Sequence, residues 1–408
     1  MTSSSALKVG WDDVVWSPTT PPPAMDRQRT AVIGQTYRAA VPATIEQLDF
    51  RVHPDVSARA EDARAAVTRF DAELASMFGG EFAPLAAVLL RTESASSSQI
   101  ENITAGAKAL SLADVGLVKF GSNASLVQAN VAAMNRALEL SGPLTPEHIL
   151  SIHEALMHGQ EQAEPGCFRN QQVWIGGTDY SPHRAEFVPP QDSRIAAAIE
   201  DLCAFTARTD LPLLAQAAIA HAQFETIHPF NDGNGRAGRA LVHVMLRNGG
   251  ATTLTTVPVS AGLLSDTDAY YDALGSYRSG DPNPIVEEFS RASFSAVQNG
   301  GELAADLKTI HDGWAAKLRA RSDAVAWRIL PFLVRQPSVT SKLIQSTMGV
   351  TQPAADNALR QLQDAGVLSS PKSVHGAGRM RNVVWQATEV LDALDRFGER
   401  ARRNGRSA

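Results

Sequence analysis

Near its middle the chain contains the stretch His228-Pro229-Phe230-Asn231-Asp232-Gly233-Asn234-Gly235-Arg236-Ala237-Gly238-Arg239. Apolar residues at helical spacing flank it, over residues 211–226 and 240–246. A loop rich in glycine and asparagine that opens directly into a helix leaves several backbone N–H groups unpaired and directed at one point. The helix dipole adds partial positive charge there, so the stretch predicts a binding site for an anion, above all a phosphate.

The charged side chains of this stretch also suit phosphate chemistry. Arg236 and Arg239 are three residues apart in the first turn, so both can face the loop, and their planar guanidinium groups fit phosphate oxygens. Asp232 offers a hard oxygen ligand for Mg²⁺, and His228 can exchange a proton near neutral pH. We therefore predict a site for phosphoryl or nucleotidyl transfer. The alternative is a helix-capping loop that binds nothing.

The stretch matches every fixed position of the motif His-x-Phe-x-Asp/Glu-Gly-Asn-Gly-Arg-x-x-Arg, so the chain resembles the Fic proteins, and among them the adenylyltransferases, or AMPylators. The resemblance implies transfer of AMP from ATP to a Ser, Thr or Tyr hydroxyl of a target protein, with Mg²⁺ as the metal. His228 would be the catalytic base, Asp232 the metal ligand and Phe230 the apolar anchor of the loop. The residues that would bind ATP are Gly233, Asn234, Gly235, Arg236, Gly238 and Arg239. The related Doc-type kinases carry lysine where this chain has Gly235, which disfavours phosphate transfer by that route.

A second motif lies in the serine-rich segment Ser97-Ser98-Gln99-Ile100-Glu101-Asn102. Serines compete for backbone hydrogen bonds, so the run is unfavourable inside a helix, and function is one explanation for such a segment. It resembles the inhibitory helix of Fic proteins, in which Ser97 and Glu101 would share one face. By that resemblance Glu101 would pair with Arg239, occupying the group that should hold the γ-phosphate, and could also position water to remove AMP. The alternative is a surface helix with a solvated glutamate.

Two short runs of strand-forming residues precede the central stretch, at residues 173–175 and 186–188. Gly, Asp and Ser residues lie between them, which predicts a β-hairpin. The hairpin resembles the Fic flap, whose edge would dock a target segment by strand pairing, through Val173, Ile175 and Phe187. The alternative is an ordinary surface hairpin.

The C-terminal region predicts a winged helix. Helices are expected over 324–333, bent or ended near Pro331, then over 339–348 and 352–365, and strands over 367–368 and 382–385. Lys372, Arg379 and Arg381 on the intervening loop could contact DNA phosphates, although Arg360 is the only basic residue of the third helix. A module that binds protein or only packs is the other interpretation.

The bulk composition is that of an ordinary globular chain. The length of 408 residues predicts two or three domains. Of these residues, 44% are hydrophobic and 20% are charged, as in typical globular proteins. The net charge of −6 gives no global sign of nucleic-acid binding, and two cysteines form no disulfide framework. With no secretory segment and no apolar run of membrane-span length, we expect a cytoplasmic protein with no membrane partner. The Ala- and Arg-rich composition hints at a bacterium. Three histidines of the helix predicted over 145–158 show no metal-binding spacing and are expected at the surface or satisfied in the core: His148, His153 and His158.

The predicted fold class is all-α, with a Fic-type helical core, a small β-hairpin flap and a C-terminal winged helix. The expected domains are an extended or partly disordered arm (1–30) anchored by Trp11 and Trp16, an N-terminal helical region with the inhibitory helix (31–120), a Fic core (121–305), a winged helix (322–395) and a basic tail (396–408). The family resemblance also fits a homodimer. One rival is a winged-helix DNA-binding regulator whose Fic-like domain only senses nucleotide. Another is an enzyme of the same fold that transfers UMP or phosphocholine.

Overall fold

The computed structural model of the chain describes residues 6–18, 23, 26–77, 83–369, 372–375 and 381–403. The fold is mostly helical, as the sequence predicted. The helices are α1 (Arg27–Ala31), α2 (Pro54–Met77), α3 (Ala83–Ile100), α4 (Ala107–Ala113), α5 (Asn123–Glu139), α6 (Pro146–Leu156), α7 (Ile195–Thr206), α8 (Leu213–Ile227), α9 (Asn234–Asn248), α10 (Val259–Leu264), α11 (Thr267–Arg278), α12 (Asn283–Lys317), α13 (Val325–Arg335), α14 (Ser341–Met348), α15 (Gln352–Asp364) and α16 (Thr388–Arg403). The strands are β1 (Gly10–Val15), β2 (Thr36–Val41), β3 (Ser338–Val339), β4 (Lys372–His375) and β5 (Arg381–Gln386). Within these described ranges, no helix combines the length and the apolar composition needed to cross a membrane.

The chain divides into two compact units, each assembled from separate segments. The first consists of Met1–Asp62, Asn135–Gly249 and Asp268–Ser290 and contains the His228–Arg239 stretch. The second consists of Ala63–Met134, Gly250–Thr267 and Arg291–Ala408 and contains the serine-rich segment and the C-terminal region.

Helices α8 and α9 form the centre of the first unit. Every residue of α8 from Leu214 to Ile227 is buried, as is every residue of α9 from Asn234 to Leu246. Gly238 allows the two helices to approach closely, because a Cβ at this position would lie 2.9 Å from a ring carbon of Phe224. Both helices that flank the loop are therefore packed on all sides, which fixes the two ends of the loop.

The N-terminal segment is more ordered than the sequence predicted. Strands β1 and β2 pair antiparallel, from Gly10 opposite Val41 to Val15 opposite Thr36. Residues 10–15 were expected in an extended or partly disordered arm, because nothing local in the sequence shows that their partner lies some 25 residues further along. The expected anchor is confirmed for Trp16, whose ring lies 6.0 Å from Tyr37 and 5.4 Å from Trp174.

The predicted flap hairpin is reduced to a single bridge, between Ile175 and Phe187. Longer strands do not form because the chain turns at once through Gly176 and Gly177, both at positive φ. The carbonyl of Val188 instead accepts a hydrogen bond of 2.9 Å from Ala40 of β2.

In the second unit the serine run is helical up to Ile100, although its composition is unfavourable for a helix. The serines from Ser94 to Ser98 are buried, and polar partners compensate them. Ser94 donates to the carbonyl of Leu90, and the Asn130 amide donates to the carbonyl of Ser94 (2.8 Å) and to Ser98 Oγ (3.1 Å). Further along, α12 is a single helix of 35 residues.

The C-terminal region has the expected order of helices and a three-stranded antiparallel sheet, β3-β5-β4. Helix α13 continues through Pro331 to Arg335, so it does not end at this proline, as one form of the prediction had it. Residues 367–368 lie in a turn, and the strand expected there is β4, five residues later. Arg379 lies outside the described residues.

The predicted basic tail is also wrong up to Arg403, where α16 ends. Phe397 and Ala401 of this helix are buried. Two of its arginines form ion pairs, with Arg400 Nε 3.1 Å from Glu302 and Arg396 3.3 Å from Asp306. The basic residues therefore belong to an amphipathic helix, which a tally of charge alone does not reveal.

Candidate active site

His228 directly follows the last residue of α8 and forms its C-cap. Its backbone is left-handed, with φ 49° and ψ 62°, and its N–H donates to the carbonyl of Phe224 at 2.8 Å. A left-handed conformation costs a non-glycine residue about 1–2 kcal/mol, so neighbouring groups must stabilise it. The imidazole is partly exposed, and its Nδ1 lies 3.8 Å from Oε2 of Glu225. The predicted base is thus accessible from solvent, and the carboxylate of Glu225 lies near its Nδ1.

Phe230 holds the middle of the loop in the core. It is completely buried and stacks on the ring of His153, with centroids 3.7 Å apart and planes 4° apart. The side chain of Asn234 accepts from the N–H of Phe230 and donates to its carbonyl, both at 2.9 Å. Phe230 is therefore placed as the predicted anchor requires.

The contact with Phe230 corrects the role expected for the Asn234 side chain. Asn234 was expected to bind ATP, but in the structure its side-chain amide pairs with both polar groups of the Phe230 backbone. A side-chain amide that satisfies a peptide group in both directions closes the loop much as a backbone turn would. In the first turn of α9, the backbone N–H of Asn234 is the group that would meet a bound anion.

His153, expected to be a surface or satisfied core residue, is satisfied in the core and also supports the loop. Its Nε2 lies 3.1 Å from the carbonyl oxygen of Asp232, and its Nδ1 accepts from the N–H of Gly166 at 3.1 Å. One ring nitrogen donates and the other accepts, which requires the neutral imidazole. Burial lowers the pKa of His153 to about 4, so the ring is neutral at physiological pH. No signal in the sequence connected this histidine to the loop.

Helix α9 begins at the predicted anion cradle. Gly233 precedes it at φ 78°, and a Cβ there would lie 2.1 Å from the terminal carbon of Met157, so only glycine fits. The N-cap residue, Gly233, provides no side chain to cap the helix. The hydrogen bond that begins the helix runs from the N–H of Ala237 to the carbonyl of Gly233, at 2.9 Å. The N–H groups of the first turn consequently point at the loop, where an anion would complete them.

The charged residues of the motif differ sharply in exposure. Arg236 and Arg239 are both only 2% exposed, whereas the Asp232 side chain is 60% exposed. Asp232 Oδ1 accepts from the N–H of Gly233 at 2.6 Å and from Arg236 Nη2 at 3.3 Å. The buried guanidinium groups of Arg236 and Arg239 add positive charge beside the start of α9, which the Asp232 carboxylate partly offsets.

Asp232 fits a magnesium ion that is also held by phosphates. Its Oδ1 is occupied, and its Oδ2 has no protein partner among the described residues. Within that part of the chain no group of three or more His, Cys, Asp or Glu side chains could hold a metal. Mg²⁺ is commonly bound through one or two carboxylates together with substrate phosphates and water, which is the arrangement that a single exposed aspartate allows.

Two arginines that the sequence analysis did not identify connect the active loop (residues 228–233) to the flap segment (residues 173–188). Arg169 donates from Nε to the carbonyl of His228 at 2.9 Å. The guanidinium of Arg278 lies 3.8 Å from the centre of the Phe187 ring and donates to the carbonyl of Glu225 at 3.3 Å. Ile175 is paired with Phe187, whereas the Val173 carbonyl accepts from the Gln172 side chain. These long-range contacts had no local signature.

The predicted regulatory residues lie in the second unit and not on one continuous helix. Ser97 is buried in α3, but the helix ends at Ile100 and Glu101 is exposed in the turn that follows. Asn102 is left-handed, with φ 61°, and Ile103 donates back to the carbonyl of Ser98 at 3.0 Å. The Asn of the motif thus supplies the left-handed residue that terminates the helix.

Comparisons with known proteins agree with this geometry. Residues 143–246 match the family model described as Fic/DOC family. The protein adenylyltransferase fic-1 of Caenorhabditis elegans is 28% identical over 185 residues, 45% of this chain and 34% of that protein. The protein adenylyltransferase Fic of Drosophila willistoni is 30% identical over 156 residues, 38% of this chain and 28% of that protein. The chain thus spans about a third of the length of these relatives.

A solved structure supports the fold. A Fic family protein from Desulfovibrio desulfuricans G20 superposes with a TM-score of 0.52 at 21% identity, over 83% of this chain and 97% of that one. Residues 143–246 are thus similar to the Fic/DOC family, and the chain shares its fold with a solved Fic family protein.

Proposed function

We propose that the protein is an adenylyltransferase that moves AMP from ATP to a hydroxyl group of a target protein. One observation carries the proposal: the partly exposed imidazole of His228 lies in the loop that ends at the uncapped, cationic start of α9. A base and a triphosphate cradle in the same loop are what nucleotidyl transfer to a hydroxyl requires. The relatives named above are adenylyltransferases, which supports AMP as the group transferred.

In the proposed reaction His228 takes the proton from the acceptor hydroxyl. The hydroxyl oxygen forms a bond to the α-phosphorus, the bond from that phosphorus to the bridging oxygen breaks, and pyrophosphate leaves. The backbone N–H groups at the start of α9, at Gly233, Asn234 and Gly235, hold the phosphates, and Arg236 neutralises charge on the leaving group. Bound through Asp232, Mg²⁺ would supply further charge neutralisation on the phosphates. Such transfer depends mainly on positioning and electrostatic stabilisation.

Target docking is proposed at the flap segment, through Val173, Ile175 and Phe187. The peptide groups of an extended target can pair with this edge without a required side-chain sequence, because main-chain hydrogen bonds provide the affinity. Phe187 is held by the guanidinium of Arg278, which also contacts the carbonyl of Glu225, three residues before His228. A target paired at the flap would therefore have a defined position relative to the base.

Glu101 is the proposed inhibitory residue, competing with the γ-phosphate for Arg239. It follows the C-terminal end of α3, where the helix dipole disfavours a carboxylate by about 0.3–1 kcal/mol unless a cation offsets it. We propose further that the same carboxylate can position water for removal of AMP. Release of AMP from a pre-modified target by the wild type, but not by Glu101→Gly, is the expected result, and release by both rejects this second role.

Mass spectrometry of the Glu101→Gly variant, incubated with Mg-ATP, tests the transferred group. We expect modification by one adenylyl group, and none when Mg-UTP or CDP-choline is the sole donor. Glu139→Gly is the matched control, because Glu139 is also an exposed glutamate at the end of a helix, α5, and it should not gain modification. An adduct of a different mass would replace AMP transfer with another chemistry of the same fold.

For the C-terminal helices and sheet we propose a winged-helix module that binds a partner macromolecule. The order α13-β3-α14-α15-β4-β5 supports this assignment. Its third helix, α15, carries one basic side chain, Arg360, whose Nε donates to the carbonyl of Asp356, so a protein partner is favoured over DNA. A sequence-specific gel shift at physiological salt, with no transfer by Glu101→Gly, would instead support the DNA-binding regulator.

A further inference from the structure

Arg169 is a buried cation, and within the described part of the chain its side-chain hydrogen bonds all go to backbone carbonyls. Its side chain donates from Nε to His228 (2.9 Å), from Nη1 to Gln171 (2.9 Å) and from Nη2 to Pro190 (2.5 Å). Its own N–H donates to the carbonyl of Pro229 at 2.9 Å. The residue is 2% exposed, and no described carboxylate forms an ion pair with it.

A buried charge without a counterion is expensive, so its position calls for a physical reason. Burial lowers the pKa of Arg169 to about 10, which leaves the guanidinium charged at neutral pH. Three carbonyl dipoles then stabilise this charge at hydrogen-bond distance, with a longer-range attraction from Asp192, and the carbonyls belong to two segments that the chain must keep in register. Gln171 and Pro190 flank the flap segment, whereas His228 and Pro229 begin the active loop.

From this arrangement we infer that Arg169 is the positioning residue of the site, fixing the direction of the His228 imidazole and the base of the flap together. The inference rests on the proposed function. The N–H of His228 is held by Phe224 and its carbonyl by Arg169, so both peptide groups that flank its Cα are fixed. Because these peptide groups set φ and ψ, they also set where the Cβ and the imidazole point.

A planar fork is needed for this role. Lysine would keep the charge, but its single Nζ cannot reach three carbonyls arranged around a guanidinium. Arg169→Lys should therefore lower the rate of AMP transfer at least about tenfold, since a displacement of about 1 Å in a reacting group can cost 10²-fold. The dissociation constant of Mg-ATP should stay within about twofold, because Arg169 does not contact the start of α9.

Arg208 provides a matched control. It also donates to loop carbonyls, those of Ile45, Glu46 and Leu48, at 3.4, 3.3 and 2.8 Å. None of these carbonyls belongs to the active loop or the flap. Arg208→Lys should therefore leave the transfer rate and the His228 environment unchanged, even where the two lysine variants lose the same stability.

The experiment has two readouts. The first is the transfer rate of both lysine variants in the Glu101→Gly background. The second is the nitrogen NMR spectrum of ¹⁵N-histidine-labelled protein, in which the His228 signal is assigned by its loss in His228→Asn. We expect Arg169→Lys to lower the rate and shift the His228 signal, and Arg208→Lys to do neither. An unchanged His228 signal in Arg169→Lys, or equal losses in both variants, would overturn the inference.

The NMR arm keeps the two proposals separable. If the parent transfers no AMP under any condition, the proposed function fails, while the His228 signal still decides whether Arg169 positions the ring. Should Arg169→Lys not fold, Arg169→Gln takes its place. Should neither fold, Arg169 is required for the fold as a whole and the positioning assignment is wrong.

Discussion

Among the described residues, two α-helices lead into a non-glycine residue in the left-handed region, and they do so by different means. Helix α8 ends on His228, and α3 is followed within two residues by Asn102. Asparagine tolerates this conformation because its short side chain can bond to the local backbone, and Asn102 is exposed. Histidine has less intrinsic tolerance, and tertiary contacts surround it. The proposed regulatory end is thus specified locally, whereas the proposed catalytic end is imposed by distant residues.

This difference has a consequence for function. A side chain whose backbone is fixed from several directions has one orientation, which suits a base that must meet a hydroxyl. A helix end specified by its own residues can loosen without disturbing the rest of the core, which suits a segment that must leave the site when ATP binds. Changes at the two ends should therefore differ in what they damage.

The largest expected effect separates chemistry from strain at the first end. His228→Asn keeps a residue that accepts the left-handed backbone but removes the imidazole. The transfer rate should fall by roughly 10²–10⁴, the usual contribution of a general base, while the free energy of unfolding changes by less than about 0.5 kcal/mol. Labelled AMP transfer and urea unfolding measure the two quantities. Transfer at the parental rate would remove His228 from the mechanism, and a large loss of stability would show that more than the imidazole was lost.

Acid should weaken the first end through His221, a buried histidine of α8. Burial lowers the pKa of His221 to about 3 from 6.5, and its Nε2 lies 2.7 Å from the Tyr270 hydroxyl. The folded state binds a proton at His221 less tightly than the unfolded chain does. The contribution of neutral His221 to the free energy of unfolding is therefore fully present above pH 6.5 and is lost as the pH falls from there toward 3. Between pH 7.5 and 5 this histidine should cost about 2 kcal/mol in the free energy of unfolding.

His221→Gln, which can bond to Tyr270 but does not titrate, is the variant that tests this window. The difference between wild type and variant in urea unfolding at the two pH values isolates the histidine from the carboxylates, which both proteins share. Equal losses of stability on acidification would mean that His221 is charged in the folded state, contrary to its burial.

The contrast between a helix end that is specified locally and one that is stabilised by distant residues also explains what the sequence could predict. The loop that opens into a helix within residues 228–239 follows from local pattern, and the structure has it where expected, whereas its phosphate-binding character stays a prediction. The pairing of β1 with β2, the stack of His153 on Phe230 and the carbonyl contacts of Arg169 join residues from 25 to about 80 positions apart. Nothing within a local window records such partners. The elements around the site were therefore predictable, but the residues that hold its base in place were not.

An intermediate effect is expected where the two ends are proposed to communicate. Glu101→Gly removes the carboxylate proposed to compete for Arg239, and auto-modification should rise about tenfold, within the range usual for a coupling between sites. Glycine in the turn after α3 also leaves the left-handed Asn102 in place. Glu101→Gln serves as a matched variant, because it removes the charge and keeps the side-chain length. It should activate nearly as much as glycine if the competition is electrostatic, and parental labelling by both variants would discard autoinhibition.

The smallest effect tests the local explanation of the second end. Asn102→Gly should leave the free energy of unfolding within about 0.5 kcal/mol, since glycine adopts positive φ without steric cost. Asn102→Ala should lower it by about 1 kcal/mol, because alanine meets the full left-handed penalty and has no side-chain hydrogen bond to offset it. Urea unfolding of the two variants side by side measures the difference. If glycine and alanine destabilise equally, the end of α3 is held by its surroundings as His228 is, and the contrast between the two helix ends is wrong.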